Sequence, residues 1–172
     1  IAVIPQFGID TALFSPPEKR PERPFTIGYV GRLVEEKGIH FLIDAVSHLK
    51  GEWTLRILGG GPLLRHLRSR AEQHGIANRI HFDAQIPSTQ VPDYYHKMDV
   101  LVLPSLTRPN WKEQFGRVLI EAMASGVAVI GSNSGAIPDV SGDAGVIVPE
   151  GDVYVLALSP YSVLKISAEQ LR

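Results

Sequence analysis

The sequence is marked by what it lacks. It contains no cysteine among 172 residues, which excludes a disulfide framework and a thiolate nucleophile or metal ligand, and fits a reducing cytoplasm. A formal net charge of -1 leaves no overall basic field for nucleic acid. No apolar run approaches the roughly 20 residues that cross a bilayer. The chain begins with neither Met nor a signal peptide. We therefore expect a soluble or membrane-peripheral, cytoplasmic fragment of a longer protein.

The sequence does contain enough apolar residues for one hydrophobic core, since 44% of its residues are hydrophobic and 20% are charged. Short β-branched runs alternate with helical stretches, which predicts an α/β domain with a parallel sheet flanked by helices. The expected domain covers 25–153, after a proline-rich linker at 1–24 and before a tail at 154–172 without clear periodicity. Strands are predicted at 26–30, 54–58, 80–82, 100–103, 127–131 and 145–148, and helices at about 38–50, 63–75, 88–98 and 115–125.

Four loops after predicted strands hold the residues that could bind a ligand: 31–38, 59–62, 105–116 and 132–138. In an open parallel sheet, ligands bind outside the carboxyl ends of the strands. The last of these loops offers small polar residues, which could contact a ligand or simply start a helix. We therefore expect the site at this edge of the sheet.

The first loop contains Arg32 and Lys37 between two glycines, just before a predicted helix. Two cations and the free amides at a helix N-terminus could hold a diphosphate. The alternative is a pair of surface charges matched with Glu35 and Glu36. The glycines of 59–61 could let backbone approach a ligand, or could form a plain turn.

The third loop leads to two carboxylates, Glu113 and Glu121, eight residues apart. Carboxylates accept hydrogen bonds from vicinal diols, so the pair could hold the hydroxyls at two ends of one ligand. It could equally be the general acid and base of a glycoside hydrolase. Glu121 could also face solvent, but its apolar neighbours predict partial burial, which requires a partner or ligand. The six histidines show no metal-ligand spacing.

Together these segments resemble the glycosyl transferases group 1 family, retaining enzymes of GT-B fold, and specifically their C-terminal, donor-binding domain. The similar stretches are Gly31–Gly38, Leu58–Pro62, His81–Ile86 and Glu113–Ala124. Gln114 stands where the family often has glycine. The resemblance implies a Rossmann-like sheet in the C-terminal half of a GT-B fold.

The same resemblance implies that the candidate residues bind a nucleotide-diphosphate sugar, such as a UDP-, GDP- or ADP-sugar. Arg32 and Lys37 would bind the phosphates, Glu113 the transferred hexose and Glu121 the ribose. Residues 81–86 would lie near the nucleobase. The other expected donor-binding residues are Gly59 and Gly60 of the glycine turn and, through their amides, Phe115, Gly116, Arg117 and Val118. No metal and no further cofactor is implied.

The implied activity is transfer of a hexose, with retention, to an acceptor hydroxyl held by an N-terminal domain that this sequence lacks. The chain alone should then bind donor without transferring sugar. Peripheral membrane contact of the longer protein stays open. Alternatives are a GT-B fold epimerase or phosphorylase, or a non-catalytic nucleotide-binding module. A dinucleotide oxidoreductase is disfavoured because the spaced glycines of its fingerprint are absent.

Overall fold

A computed structural model describes residues 8–19 and 22–160, and in these ranges six strands form one parallel sheet. The strand order is β3-β2-β1-β4-β5-β6, the doubly wound order of a Rossmann fold. The predicted fold class is therefore confirmed. The strands are β1 (Phe25–Val30), β2 (Trp53–Leu58), β3 (Ile80–Asp83), β4 (Val100–Leu103), β5 (Ala128–Ser132) and β6 (Gly145–Val148).

Helices connect the strands and cover both faces of the sheet. They are α1 (Ile39–Ser47), α2 (Leu64–Gln73), α3 (Val91–Tyr95), α4 (Arg117–Ala124), α5 (Ile137–Ser141) and α6 (153–160). Among the helices of the described ranges, none combines the length and the apolar character that crossing a bilayer requires.

The four inner strands, β1, β2, β4 and β5, are largely buried, as parallel strands between two helical layers must be. In β4, Val100 and Val102 belong to one core cluster, and Leu101 and Leu103 belong to the other. This alternation follows from the two-residue repeat of a strand. Burial of each such side chain contributes about 1.5–3 kcal/mol, so the central strands form a rigid base for the loops at their ends.

Two helices begin later than predicted because a glycine stands immediately before each. Gly38 and Gly116 precede α1 and α4 with φ angles of 63° and 72°. These values lie in the left-handed region, which a right-handed helix cannot include. The predicted start at 115 is thus corrected to Arg117, and Phe115 lies in the preceding loop.

Helix α6 covers the beginning of the tail at 154–172, whose structure the sequence did not predict because it lacks clear periodicity. Residues 153–160 are helical, and Leu156 and Ala157 are buried against the sheet. Its other face exposes Tyr154 and Leu158, which are 73% and 65% accessible. Apolar residues on both faces hide the helical period in the sequence. The rest of the predicted tail, 161–172, lies outside the described residues, as do 1–7 of the predicted linker.

Helices α1 and α2 are joined by a cluster of charged side chains around Asp44. Its carboxylate accepts hydrogen bonds from Arg70 Nε at 2.5 Å and Nη2 at 2.6 Å, and His74 Nε2 lies 2.9 Å away. Burial alone would raise the pKa of Asp44, but the hydrogen bonds from Arg70 and His74 outweigh burial and lower it. The cluster therefore stabilises the packing of the two helices when Asp44 is ionised.

Candidate functional site

The four loops singled out in the sequence lie at one edge of the sheet, because all six strands run in the same direction. Strands β1 and β4 are neighbours in the sheet but not in sequence, which makes the gap between them the switch point where such folds bind ligands. Main-chain hydrogen bonds join the loops in series. They run from Leu33 N to Gly60 O (2.9 Å), from Leu106 N to Glu36 O (2.8 Å) and from Ala136 N to Glu113 O (2.9 Å).

Two glycines allow these loops to approach each other closely. A Cβ atom on Gly38 would lie 2.0 Å from the carbonyl oxygen of Pro104, and one on Gly135 would lie 2.0 Å from that of Glu113. Both glycines also have positive φ angles, of 63° and 55°. Any side chain at either position would separate the loops that build this edge.

Lys37 and Glu113 meet across the switch point. Lys37 Nζ lies 2.5 Å from Glu113 Oε2, and the two side chains are only 15% and 10% exposed. Ser105 Oγ donates a second hydrogen bond, of 2.9 Å, to the same oxygen. The ammonium also lies 5.1 Å from the centre of the Trp111 ring. The alternative that matched Lys37 with Glu35 and Glu36 is wrong, because its partner is Glu113.

Arg32, the other predicted phosphate ligand, extends into solvent. Its side chain is 69% exposed, and Glu36 is 3.8 Å away, so this ion pair is weak. The backbone beneath it is fixed, because Tyr29 Oη donates a hydrogen bond of 2.8 Å to the Arg32 carbonyl. Burial raises the pKa of Tyr29 well above its ordinary value, so the hydroxyl remains a donor. Arg32 therefore combines an exposed cation with a main chain that is held in place.

Glu121 is buried, as its apolar neighbours predicted, and both its oxygens accept hydrogen bonds. Tyr95 Oη donates to Oε2 and Arg117 Nε donates to Oε1, each over 2.9 Å. The alternative of a solvent-facing Glu121 is wrong, since the residue is 9% exposed. Sequence reasoning missed Tyr95 and Ser105. Tyr95 fits the apolar pattern of α3. Ser105 lies two residues after the buried strand β4, and a polar residue in such a loop is a signal for a site residue.

The N-terminus of α4 supplies backbone donors at the same edge. Gly116 is the residue before the helix, and the amides that follow it, of Arg117 and Val118, have no intrahelical acceptor. Phe115 is half-buried just before them. Such an N-terminus favours an anion through its amides and its dipole.

A cavity of about 330 Å³ opens beside the first two loops. It brings together three of the predicted residues, Arg32, Gly59 and Gly60, with the segment after β3 that was predicted to lie near a nucleobase. Lys37, Glu113 and Glu121 are not among its lining residues. The lining is Val30, Gly31, Arg32, Leu58, Gly59, Gly60, Gln85, Ile86, Ser88 and Val91.

A second cavity, of about 390 Å³, shares Gln85 and Ile86 with the first. Its wall contains Asp83, whose Oδ2 accepts hydrogen bonds from Arg56 Nη2 at 2.8 Å and from Tyr94 Oη at 2.6 Å. Burial would raise the pKa of Asp83, but the hydrogen bonds from Tyr94 and Arg56 outweigh it and lower that pKa. These partners anchor the end of β3, from which the shared residues project.

The chemistry of this edge suits an anionic ligand that carries hydroxyl groups. It combines an exposed guanidinium, a buried ammonium, helix amides and two carboxylates, each already hydrogen-bonded to a cationic side chain. Within 8–19 and 22–160, no three His, Cys, Asp or Glu side chains form a group that could hold a metal ion.

Comparison with known proteins gives consistent matches. The family model described as Glycosyl transferases group 1 matches residues 10–170. WcaL from Escherichia coli, which carries the name of a colanic acid biosynthesis glycosyltransferase, is 36% identical over 90% of this chain and 40% of its own length. A GDP-mannose-dependent alpha-(1-6)-phosphatidylinositol monomannoside mannosyltransferase from Mycolicibacterium smegmatis is 34% identical over 85% of this chain and 42% of its own.

Among solved structures, the C-terminal domain of a glycosyl transferase group 1 family protein, LpcC from Francisella tularensis, superposes with a TM-score of 0.77. It is 28% identical and matches 92% of this chain and 88% of its own. The chain spans about 40% of the length of the curated relatives it matches. The match to an isolated C-terminal domain confirms the predicted Rossmann-like fold.

Proposed function

Because the chain belongs to the glycosyl transferases group 1 family, we propose that it is the donor-binding domain of a retaining glycosyltransferase. The whole enzyme would move a hexose from a nucleotide-diphosphate sugar to an acceptor hydroxyl held by another domain. The observation that carries this proposal is the buried meeting of Lys37 and Glu113 at the switch point of the sheet.

In this proposal, the nucleotide lies along the edge from the 330 Å³ cavity toward the start of α4. The mostly apolar cavity takes the nucleobase, and Arg32 at its rim contacts the diphosphate. Glu121 accepts hydrogen bonds from the ribose hydroxyls. The name of one relative at 34% identity specifies GDP-mannose, which supports a nucleotide sugar as the ligand of this edge.

Lys37 and Glu113 would serve the transfer step by electrostatics. As the bond between sugar and phosphate breaks, negative charge grows on the phosphate and positive charge on the anomeric carbon. Lys37 and Arg32 stabilise the negative charge on the phosphate. Glu113 orients the hexose and stabilises the positive charge on its anomeric carbon. One preorganised donor contributes about 2.7–4 kcal/mol to such a step. The acceptor hydroxyl then attacks from the face that the nucleotide leaves, and its proton passes to the departing phosphate oxygen.

The contacts of the two carboxylates disfavour the hydrolase alternative. A glycoside hydrolase needs one carboxylic acid with a proton to donate. Here Glu113 accepts from Lys37, and Glu121 accepts from Arg117. Both surroundings favour the role of hydrogen-bond acceptor, which is what binding of hydroxyl groups requires.

Calorimetric titration of the 172-residue chain with UDP, GDP and ADP tests the proposal. We expect one of them to bind, and Arg32→Ala and Lys37→Ala each to weaken it by about tenfold or more, the equivalent of about 1.4 kcal/mol. The matched control is Arg79→Ala. Arg79 lies before β3, at the opposite edge of the sheet, where it contacts main-chain carbonyls, so its loss should not change affinity.

Two results would contradict the proposal. One is the absence of binding by all three nucleotides. The other is an unchanged affinity in both Arg32→Ala and Lys37→Ala, which would remove the phosphate assignment.

A further inference from the structure

We propose that Tyr95 is a positioning residue that orients Glu121, and that this orientation makes the site select ribonucleotides over 2′-deoxyribonucleotides. The inference rests on the proposed function, in which Glu121 accepts hydrogen bonds from the ribose. It adds Tyr95, a residue that does not itself contact the ligand. It also predicts that the buried hydroxyl of Tyr95 affects the selectivity for ribonucleotides, which can be measured.

The carboxylate of Glu121 is held from two sides by two different elements. Tyr95, the last residue of α3, donates to Oε2. Arg117, one turn earlier on α4, donates to Oε1. Both bonds measure 2.9 Å, and each oxygen keeps a second lone pair, so a ribose hydroxyl should bind at the oxygen whose existing partner can move aside to admit it.

The two partners differ greatly in their freedom to move. The Arg117 side chain is 66% exposed, so it can turn into solvent or toward an anion. Tyr95 is 0% exposed, and its ring lies 6.1 Å from that of the buried Phe14. Displacing Tyr95 would open the core, whereas displacing Arg117 costs only an exposed ion pair, worth about 0–1 kcal/mol.

It follows that Oε1 is the oxygen that a ribose can reach, and that Oε2 stays bound to Tyr95. Burial, and after it the charge of Glu121, raises the pKa of Tyr95 well above its ordinary value. The phenol therefore keeps its proton and donates a hydrogen bond to the Glu121 carboxylate. With Oε2 fixed in this way, the carboxylate cannot rotate, and Oε1 keeps one direction.

A purely structural role for Tyr95 makes a different prediction. If the hydroxyl only stabilised the core, its removal would weaken ribonucleotide and deoxyribonucleotide binding by the same factor, through the fraction of folded chain. If it orients Glu121, the loss is larger for the ribonucleotide, because the deoxyribonucleotide has no 2′-hydroxyl to lose. The ratio of the two affinities therefore separates the roles.

The experiment titrates UDP and 2′-deoxy-UDP, or the corresponding GDP pair if GDP binds more tightly, into wild type, Tyr95→Phe, Glu121→Gln and the double variant. We expect wild type to prefer the ribonucleotide by about tenfold, since a hydrogen bond to a charged group is worth about 1.5–3 kcal/mol. Tyr95→Phe should lower this preference by about fivefold. In the Glu121→Gln background, Tyr95→Phe should change it no further.

Tyr94→Phe is the matched control. It removes the adjacent buried hydroxyl, which donates to Asp83 instead of Glu121. We expect this variant to keep the wild-type preference for the ribonucleotide, even if its melting temperature falls.

The other possible results would overturn either the inference about Tyr95 or the proposed function. An unchanged ribonucleotide preference in Tyr95→Phe overturns the positioning role, as does a wild type that binds both nucleotides equally. A wild type that binds no nucleotide refutes the proposed function itself. Should Tyr95→Phe not fold, 3-fluorotyrosine at position 95 keeps the hydroxyl. Its ¹⁹F resonance should then shift more with UDP than with 2′-deoxy-UDP, and equal shifts would overturn the inference.

Discussion

Replacing Lys37 by Met is predicted to destabilise the chain more than replacing its partner Glu113 by Gln. Lys37→Met leaves a carboxylate that is 10% exposed with one remaining hydrogen bond, from Ser105. A buried charge that loses its partner costs about 3–5 kcal/mol. Because Ser105 still donates to Glu113, we expect a loss near the lower limit, about 3 kcal/mol.

Glu113→Gln leaves a milder defect. The glutamine carbonyl can still accept from Ser105, and the ammonium of Lys37 remains over the Trp111 ring, which attracts cations. We therefore expect a loss of about 1.5–2 kcal/mol, in the lower part of the 1.5–3 kcal/mol range for a hydrogen bond to a charged group. In the double variant no charge is left unpaired, so its stability should lie close to that of Glu113→Gln.

Urea unfolding of the four proteins, followed by circular dichroism, measures these differences. With a slope of about 2 kcal/mol per molar urea, Lys37→Met should lower the midpoint by about 1.5 M. Because the double variant should lose about as much as Glu113→Gln alone, the double-mutant cycle should give a coupling free energy of about 3 kcal/mol, equal to the loss in Lys37→Met. A Lys37→Met midpoint within error of wild type, or strictly additive losses, would refute the idea that this ion pair is buried and mutually dependent.

Two further predictions concern stability away from this pair. In the same urea assay, Gly38→Ala should cost at least about 2 kcal/mol more than Gly75→Ala. The two glycines have similar positive φ angles, of 63° and 68°, but of the two only Gly75 has open space for a Cβ atom. Equal losses of stability would contradict the close approach of the loops at Gly38. Asp44→Asn should cost about 1–2 kcal/mol at pH 7, because the hydrogen bonds from Arg70 favour the ionised carboxylate. Since the folded pKa of Asp44 lies below the unfolded value of 3.8, this difference should be complete above about pH 4 and shrink as pH falls further; a difference independent of pH down to 2.5 would contradict it.

The sequence predicted those parts of the fold that depend on local signals. The bounds of β4 and β6 agree with the prediction because the turn residues Pro104 and Pro149 follow these apolar runs. The four loops were also predicted, since they come after strands of one parallel sheet. The start of α4 was misplaced by two residues because Gly116 has a left-handed conformation that residue patterns do not reveal.

Contacts between distant residues were beyond sequence reasoning. Lys37 and Glu113 are 76 residues apart, and Tyr95 and Glu121 are 26 apart, so their pairing depends on which strands are neighbours. The sequence indicated that Glu121 needs a partner but could not choose one. The role of Tyr95 could not be predicted, because a buried aromatic residue in a helix gives the same sequence pattern whether or not its hydroxyl binds another side chain.

The main-chain hydrogen bonds that join the four loops have a consequence for engineering. Because backbone atoms hold this edge together, side chains at its rim can be exchanged without loosening it. Gln85 and Ile86 border both cavities, and their side chains take no part in those loop-joining bonds. A library restricted to these two positions should therefore yield mostly folded variants, and under the proposed function it would be the place to begin changing nucleobase selectivity.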